Sequence, residues 1–302
     1  MVKRLPLILV VLFAVCCAAA VMYGTRQPEV SLASVLEIWG DVLRDADQVG
    51  LRMTRVSDAE EMQLGHNLAA ASPWPPAADP IRQAYVEDVG RVLAAHATRR
   101  GMVYEFHVVD SSAPNAFAIA GGHVYITAGM LALLETEAEL ASVLGHEISH
   151  IDLRHCIERY QYALKLEKLH AAPAGQMLDV FRTLASVEYA KYQEMDADAQ
   201  GVRLAVESGY NPDAAVRVFY RLNRLAVRRG RRIERSPAAE SVRVTGQALG
   251  DYFRSHPPSA DRTAHLTEQI RRYRVSGAVS GALYEGRENY QRRVAASRQR
   301  FS

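Results

Sequence analysis

The stretch Leu144-Gly145-His146-Glu147-Ile148-Ser149-His150 constrains this chain more than any other. It lies in a helical pattern that opens near Thr136, where Thr136 and Glu139 have the spacing of a capping box. Residues i and i+4 of an α-helix are neighbours on one face, one turn apart. His146 and His150 can therefore present two imidazole nitrogens to one point, at the roughly 2 Å that a tetrahedral Zn²⁺ requires. Glu147 is turned about 100° from His146. That places it beside the metal rather than on it, where a general base for an attacking water belongs. A second helical run carries Glu194-Met195-Asp196-Ala197-Asp198, in which Glu194 and Asp198 again share a face. Glu194 is the candidate third ligand, closing a site of two histidines and a glutamate that leaves a fourth position for water. Asp198, one turn on, is placed to accept a hydrogen bond from the non-ligating nitrogen of a zinc histidine and so fix its tautomer. The chain must then fold so that two helices distant in sequence face one another across an ion.

These residues carry a resemblance. His146-Glu147-x-x-His150 followed by Glu194-x-x-Ala197-Asp198 resembles the zinc metallopeptidase family of the HtpX heat-shock protease, the CAAX prenyl protease and the periplasmic BepA-like chaperone-proteases, metallopeptidase family 48. The segment Asn115-Ala116-Phe117-Ala118-Ile119-Ala120-Gly121-Gly122-His123-Val124-Tyr125-Ile126-Thr127 is similar to the family's Asn-Ala-Phe-Ala block and the edge strand that follows it. His256-Pro257 with Arg262 resembles its late His-Pro block. The likeness runs in one order from about Ser57 to Tyr273 and implies a mostly α (α+β) gluzincin-type peptidase domain with endopeptidase activity. It also implies a small antiparallel sheet whose edge strand flanks the active site. On composition alone the strand from Gly122 to Thr127 is an ordinary hairpin strand. The resemblance turns Asn115, Ala116, Phe117, Gly122, His123, Val124 and Tyr125 into candidate substrate contacts, through backbone pairing with an extended peptide. It also places His256 near the metal, either as a donor to the oxyanion of the tetrahedral intermediate or as an imidazole that ligates zinc and closes the site. Arg262 would hold that loop or bind the same oxyanion. The implied cofactor is one Zn²⁺ per chain, and the implied substrates are polypeptides, among them misfolded or misassembled proteins of the bacterial envelope. The alternative from another class is a metal-dependent chaperone or scaffold that binds unfolded strands with little proteolysis. Glu147 argues against it, because a scaffold has no use for a base.

The chain begins differently from the rest. Lys3 and Arg4 precede an uncharged run from Leu5 to Gly24, which reads as a secretory signal or a single membrane anchor, residues 1–24. Either form leaves the positive end in the cytoplasm and exports the remainder to the periplasmic side. A net charge of +2 gives no reason to expect nucleic acid. Cys156 is the cysteine outside the leader, so no internal disulfide follows if the leader is removed. Residues 25–56 read as an amphipathic helical linker, 57–275 as the metallopeptidase domain and 276–302 as a helical tail too short for a repeat array. Ser57 with Glu60, and Asp79 with Pro80, mark two helix starts. The segment Val103 to Asp110 reads as a strand. Ser208-Gly209-Tyr210 closes the helix that carries Glu194. Arg217, Arg221, Arg224 and Arg228 form a basic face on the next helix, solvated or drawn to an anionic membrane surface. Nothing in the sequence fixes the oligomeric state.

Overall fold

The computed structural model describes residues 56–72, 74–161, 189–233, 252, 256, 260–275 and 283–301. The leader at 1–24, the linker up to 55 and residues 234–250 lie outside the described residues.

Local signals set the helix starts. Helix α1, Asp58–Ala70, opens with a complete capping box: Ser57 Oγ accepts from Glu60 N at 3.2 Å, and Glu60 Oε2 accepts from Ser57 N at 2.8 Å. Helix α2, Pro80–Ala94, is capped by Asp79, which accepts from Ile81 N and Arg82 N, with proline in the first turn. It stops before Thr98, whose N–H and hydroxyl both donate to Asp152 Oδ2 at 2.9 Å.

The sheet has three strands, β1 (Glu105–Val109), β2 (Ala116–Ile119) and β3 (His123–Thr127), in the order β1-β3-β2. β1 runs parallel to β3, with Glu105 opposite His123, and β2 runs antiparallel to it, with Ala116 opposite Ile126. The sheet is therefore mixed, not wholly antiparallel, and β3 is its centre rather than its edge. The cause is the segment from Ala116 to Ile119, which is itself a strand and folds back through a tight turn. Gly121 and Gly122 take φ values of +87° and +102° there, a region open mainly to glycine. Residues 75–77 hydrogen-bond along the outer side of β1, through Ala77 N to Val108 O and Asp110 N to Pro75 O. Among the described residues this leaves β2 as the sheet's free edge.

A short helix α3, Ala128–Leu133, leads to α4, Glu137–Asp152, the element that carries the histidine pair. Every residue of α4 is buried, so it is the axis of the molecule. Thr136 caps it by accepting from Glu139 N at 3.1 Å. Glu139 does not close the expected box; its Oε2 accepts from Glu135 N at 2.7 Å instead. Leu140, Leu144, Ile148 and Ile151 of α4 join Val86, Val89 and Leu93 of α2 and Val124 and Ile126 of β3 in one core.

Helix α5, Lys191–Glu207, lies against α4 so closely that a Cβ on Gly201 would meet His146 N at 3.0 Å. It ends at Ser208, with Gly209 at φ +83°. On helix α6, Asp213–Ile233, two arginines of the expected basic face are paired, Arg217 with Glu285 at 2.5 Å and Arg221 with Glu139 at 2.6 Å. Those two arginines therefore tie the core together and are not free for a membrane surface. Helices α7, Ala260–Val275, and α8, Arg287–Arg292, complete the fold. The segment after residue 283 is built into the same core, through Tyr290 and Ala295. It also satisfies Glu137, a fully buried carboxylate that accepts from Ala296 N, Tyr210 Oη and Tyr85 Oη, and whose burial raises its pKa.

Candidate active site

The close approach of α4 and α5 brings the two sequence signals together. His146 Nε2 and His150 Nε2 are 3.1 Å apart, and Glu194 Oε1 of α5 is 3.2 Å from His150 Nε2. A fourth donor completes the set: His256 Nδ1 lies 3.2 Å from His146 Nε2 and 3.0 Å from Glu194 Oε1. All four side chains are buried. For metal bonds of about 2.0–2.1 Å, the corners of a tetrahedron stand about 3.3–3.4 Å apart. The observed spacings fall just inside that, so the donor set fits a four-coordinate ion such as Zn²⁺.

Charge supports the fit. Glu147, Glu194 and Asp198 bring three carboxylates to a buried centre where Arg262 brings one guanidinium, all at most 7% exposed. The carboxylates outnumber the guanidinium, a balance that suits a bound cation.

Behind the donors stands a layer of hydrogen bonds. His146 Nδ1 faces Asp198 Oδ1 at 3.0 Å, the partner expected to fix its tautomer. Arg262 holds Asp198 with two nitrogens, at 2.8 and 2.9 Å, and reaches Glu194 Oε2 at 2.5 Å. It thus grips two acidic groups from behind. Of the two roles open to it, this arrangement favours positioning over contact with substrate. His150 Nδ1 lies 3.1 Å from His155 Nδ1, and its ring stacks on Tyr189 with centroids 3.8 Å apart. Tyr252 covers the other partner, His256, at 4.9 Å between ring centroids. His155, Tyr189 and Tyr252 have no place in a reading of motifs, because single aromatic residues outside a periodic pattern leave no signal.

The environment separates the two histidines of α4. Burial alone would depress both, but the hydrogen bond that His146 donates to Asp198 and the charge of Glu194 raise His146. Burial wins at His150, which is held well below the usual range and stays neutral, the form a metal ligand needs. Burial would raise the Glu194 and Asp198 carboxyls. The histidines around Glu194, and His146 with Arg262 around Asp198, outweigh it and keep both ionised.

Glu147 is fully buried, and neither of its oxygens has a hydrogen-bond partner. His256 Nε2 lies 3.5 Å from its Oε1.

The expected substrate residues divide. Asn115, Ala116 and Phe117 lie at the start of β2, the free edge, and β2 packs on α4. Gly122, His123, Val124 and Tyr125 belong to the turn and the central strand β3, whose residues are paired with strands on both sides and buried. Their backbone is not available to a peptide. This corrects the reading of β3 as a substrate-pairing edge. His123 is 2% exposed, stacks on His107, and is pushed down to about 4 by its burial.

A model of the family described as peptidase family M48 matches residues 80–270. The chain belongs to peptidase family M48. Among the M48 proteins, it is 25% identical over 225 residues to the beta-barrel assembly-enhancing protease of Yersinia pestis, covering 68% of this chain and 46% of that protein. The protein of the same name from Escherichia coli K12 is 28% identical over 180 residues, 53% of this chain and 37% of its own. The mitochondrial metalloendopeptidase OMA1 of Arabidopsis thaliana is 27% identical over 180 residues, 58% of this chain and 33% of its own. The matched region spans less than half the length of these relatives.

Proposed function

We propose that the protein is a zinc-dependent endopeptidase of the bacterial cell envelope that cuts misfolded or misassembled envelope proteins. The observation that carries this is the convergence of His146, His150 and Glu194 beside a buried, unpartnered Glu147. A structural zinc site is also closed by protein ligands, but it has no use for a bare carboxylate next to the ion. Zinc bound by His146, His150 and Glu194 would act as a Lewis acid and bring the pKa of a water toward about 7. Glu147 takes the proton of the attacking water on a carboxylate oxygen and returns it to the leaving amine. Asp198 holds His146 by its Nδ1, and Arg262 holds Asp198 and Glu194, so the donors keep their directions as substrate enters. An extended peptide pairs with the free edge of β2 at Ala116 and Phe117, with Asn115 at its start.

The direct test is digestion of an unfolded protein such as casein, with and without a chelator. Activity should vanish on chelation and return with zinc. Cutting that survives complete removal of metal sinks the reading.

His256 governs access to the site. With its Nδ1 inside the donor set, His256 would take the fourth position of a bound ion and would have to leave before a peptide is cut. His256→Ala is therefore expected to keep its zinc on the remaining three donors and to cut faster than the parent. A loss of about 10²-fold with zinc retained would instead make it the donor to the oxyanion. Paired kinetics and metal analysis decide between the two.

The apolar run of residues 5–24 supports attachment to, or export through, a membrane. Among the described residues no helix is long and apolar enough to cross one. Deleting residues 1–24 is expected to release the protein from membranes with its zinc in place. A deleted form that still sediments with membranes at high salt would point to another anchor.

A further inference from the structure

A second group of metal-binding side chains lies apart from the donor set of α4 and α5. A ligating atom from each of His66, Glu105 and His123 comes within 4.8 Å of the other two. His107 stands beside them, its Nε2 3.0 Å from His123 Nδ1.

Three elements assemble this group, and the fold fixes each. Glu105 and His123 are direct partners in the parallel register of β1 and β3, so their side chains leave the sheet on the same face. His107, two residues along β1, shares that face. His66 comes from α1, which meets the β2–β3 turn backbone to backbone. A Cβ on Gly65 would lie 2.3 Å from Ala120 O and 2.6 Å from Gly121 Cα. Gly65 is the neighbour of His66, so this contact sets where His66 stands relative to the start of β3.

One atom in the group is unexplained by the protein alone. His123 is 2% exposed and its Nε2 has no hydrogen-bond partner. Buried polar atoms in folded proteins nearly always have one, and an orphan points to a missing water or ion. Glu105 Oε2 lies 3.7 Å from the other nitrogen of the same ring, Nδ1, and brings negative charge beside it. Two imidazoles and a carboxylate suit a borderline divalent ion such as Zn²⁺. Calcium and magnesium prefer an all-oxygen shell.

We propose that His66, Glu105 and His123 bind a second divalent transition ion of the zinc class, which clasps α1 to the first residues of β1 and β3. Two of its three ligands sit at accessible positions, His66 on the surface of α1 and Glu105 with 44% of its side chain exposed. The ion is therefore held less tightly than one at the fully buried catalytic donors, and it joins the chain after that centre is filled.

Zinc titration of the chelator-stripped full chain, read by equilibrium dialysis with metal analysis and by thermal melting, tests the clasp. The parent should take up two equivalents, the weaker one raising the melting temperature further. His66→Ala and Glu105→Gln should each keep the tight equivalent and bind the second about 10–100-fold more weakly or worse, the loss typical even of an indirect partner. Both should lose the second rise in melting temperature. Glu194→Ala should show the reverse, losing the tight equivalent and keeping the weak one, so the two sites stand or fall separately. A parent that binds a single equivalent overturns the proposal. So does a His66→Ala protein that binds both equivalents with parental affinity.

Discussion

Glu147→Gln is expected to keep its zinc and its fold and to lose 10²–10⁴-fold or more in turnover, the usual worth of a positioned general base. The substitution keeps the shape of the side chain and removes its ability to take a proton. Its effect on stability separates this role from a structural one. The carboxylate is fully buried with no hydrogen-bond partner, so it pays for no contact that the amide would lose. A buried polar group left unpaired costs about 1–3 kcal/mol, more when charged. Replacing it with a neutral amide should therefore leave the apo protein as stable as the parent, or more so. The measurements are turnover on casein, zinc content and the melting temperature with and without chelator. A variant that cuts at the parental rate removes Glu147 from the reaction. A variant that loses zinc or melts lower makes it a structural group instead.

The parts of the site readable from sequence are those set by helix geometry. His146 and His150 at i and i+4, and Glu194 and Asp198 at the same spacing, must share faces wherever their helices pack. That these two faces meet is a long-range fact, and it depends on Gly145 and Gly201 allowing the backbones together. The sheet shows the opposite case. Alternation identifies β3 as a strand but says nothing about its neighbours, and the short Ala-Phe-Ala-Ile segment that pairs with it reads equally well as a loop. The resemblance supplied the idea of an edge strand, and pairing moved the edge from β3 to β2. The arginines of α6 teach the same lesson. Their spacing gives a face, but the partners Glu139 and Glu285 come from elsewhere in the chain. His256 carries no local signal beyond a proline after it, and only the family resemblance points it toward the metal.

Arg262→Met is expected to cost about 3–5 kcal/mol, the usual penalty for removing one partner of a buried ion pair. Arg262 is 3% exposed and serves two carboxylates, holding Asp198 by two nitrogens and Glu194 by a third. Methionine fills similar volume, so the loss is electrostatic rather than a cavity. Without the guanidinium, Glu147, Glu194 and Asp198 are left in the interior with only the site histidines to offset their charge. A bound divalent ion would offset them further, and the variant should become strongly dependent on zinc for folding. For a domain of this size, 1 kcal/mol moves the melting temperature by roughly 2–4 °C. The drop in the chelated protein should therefore be roughly 6–20 °C, with a smaller drop when zinc is saturating. Arg262→Lys restores the charge but not the forked grip, and it should recover part of the stability. The competing role, contact with the oxyanion of the reaction, predicts a different pattern. Turnover would fall while melting temperature and zinc content stayed at parental values, and that result would move Arg262 from the support of the ligands to the substrate.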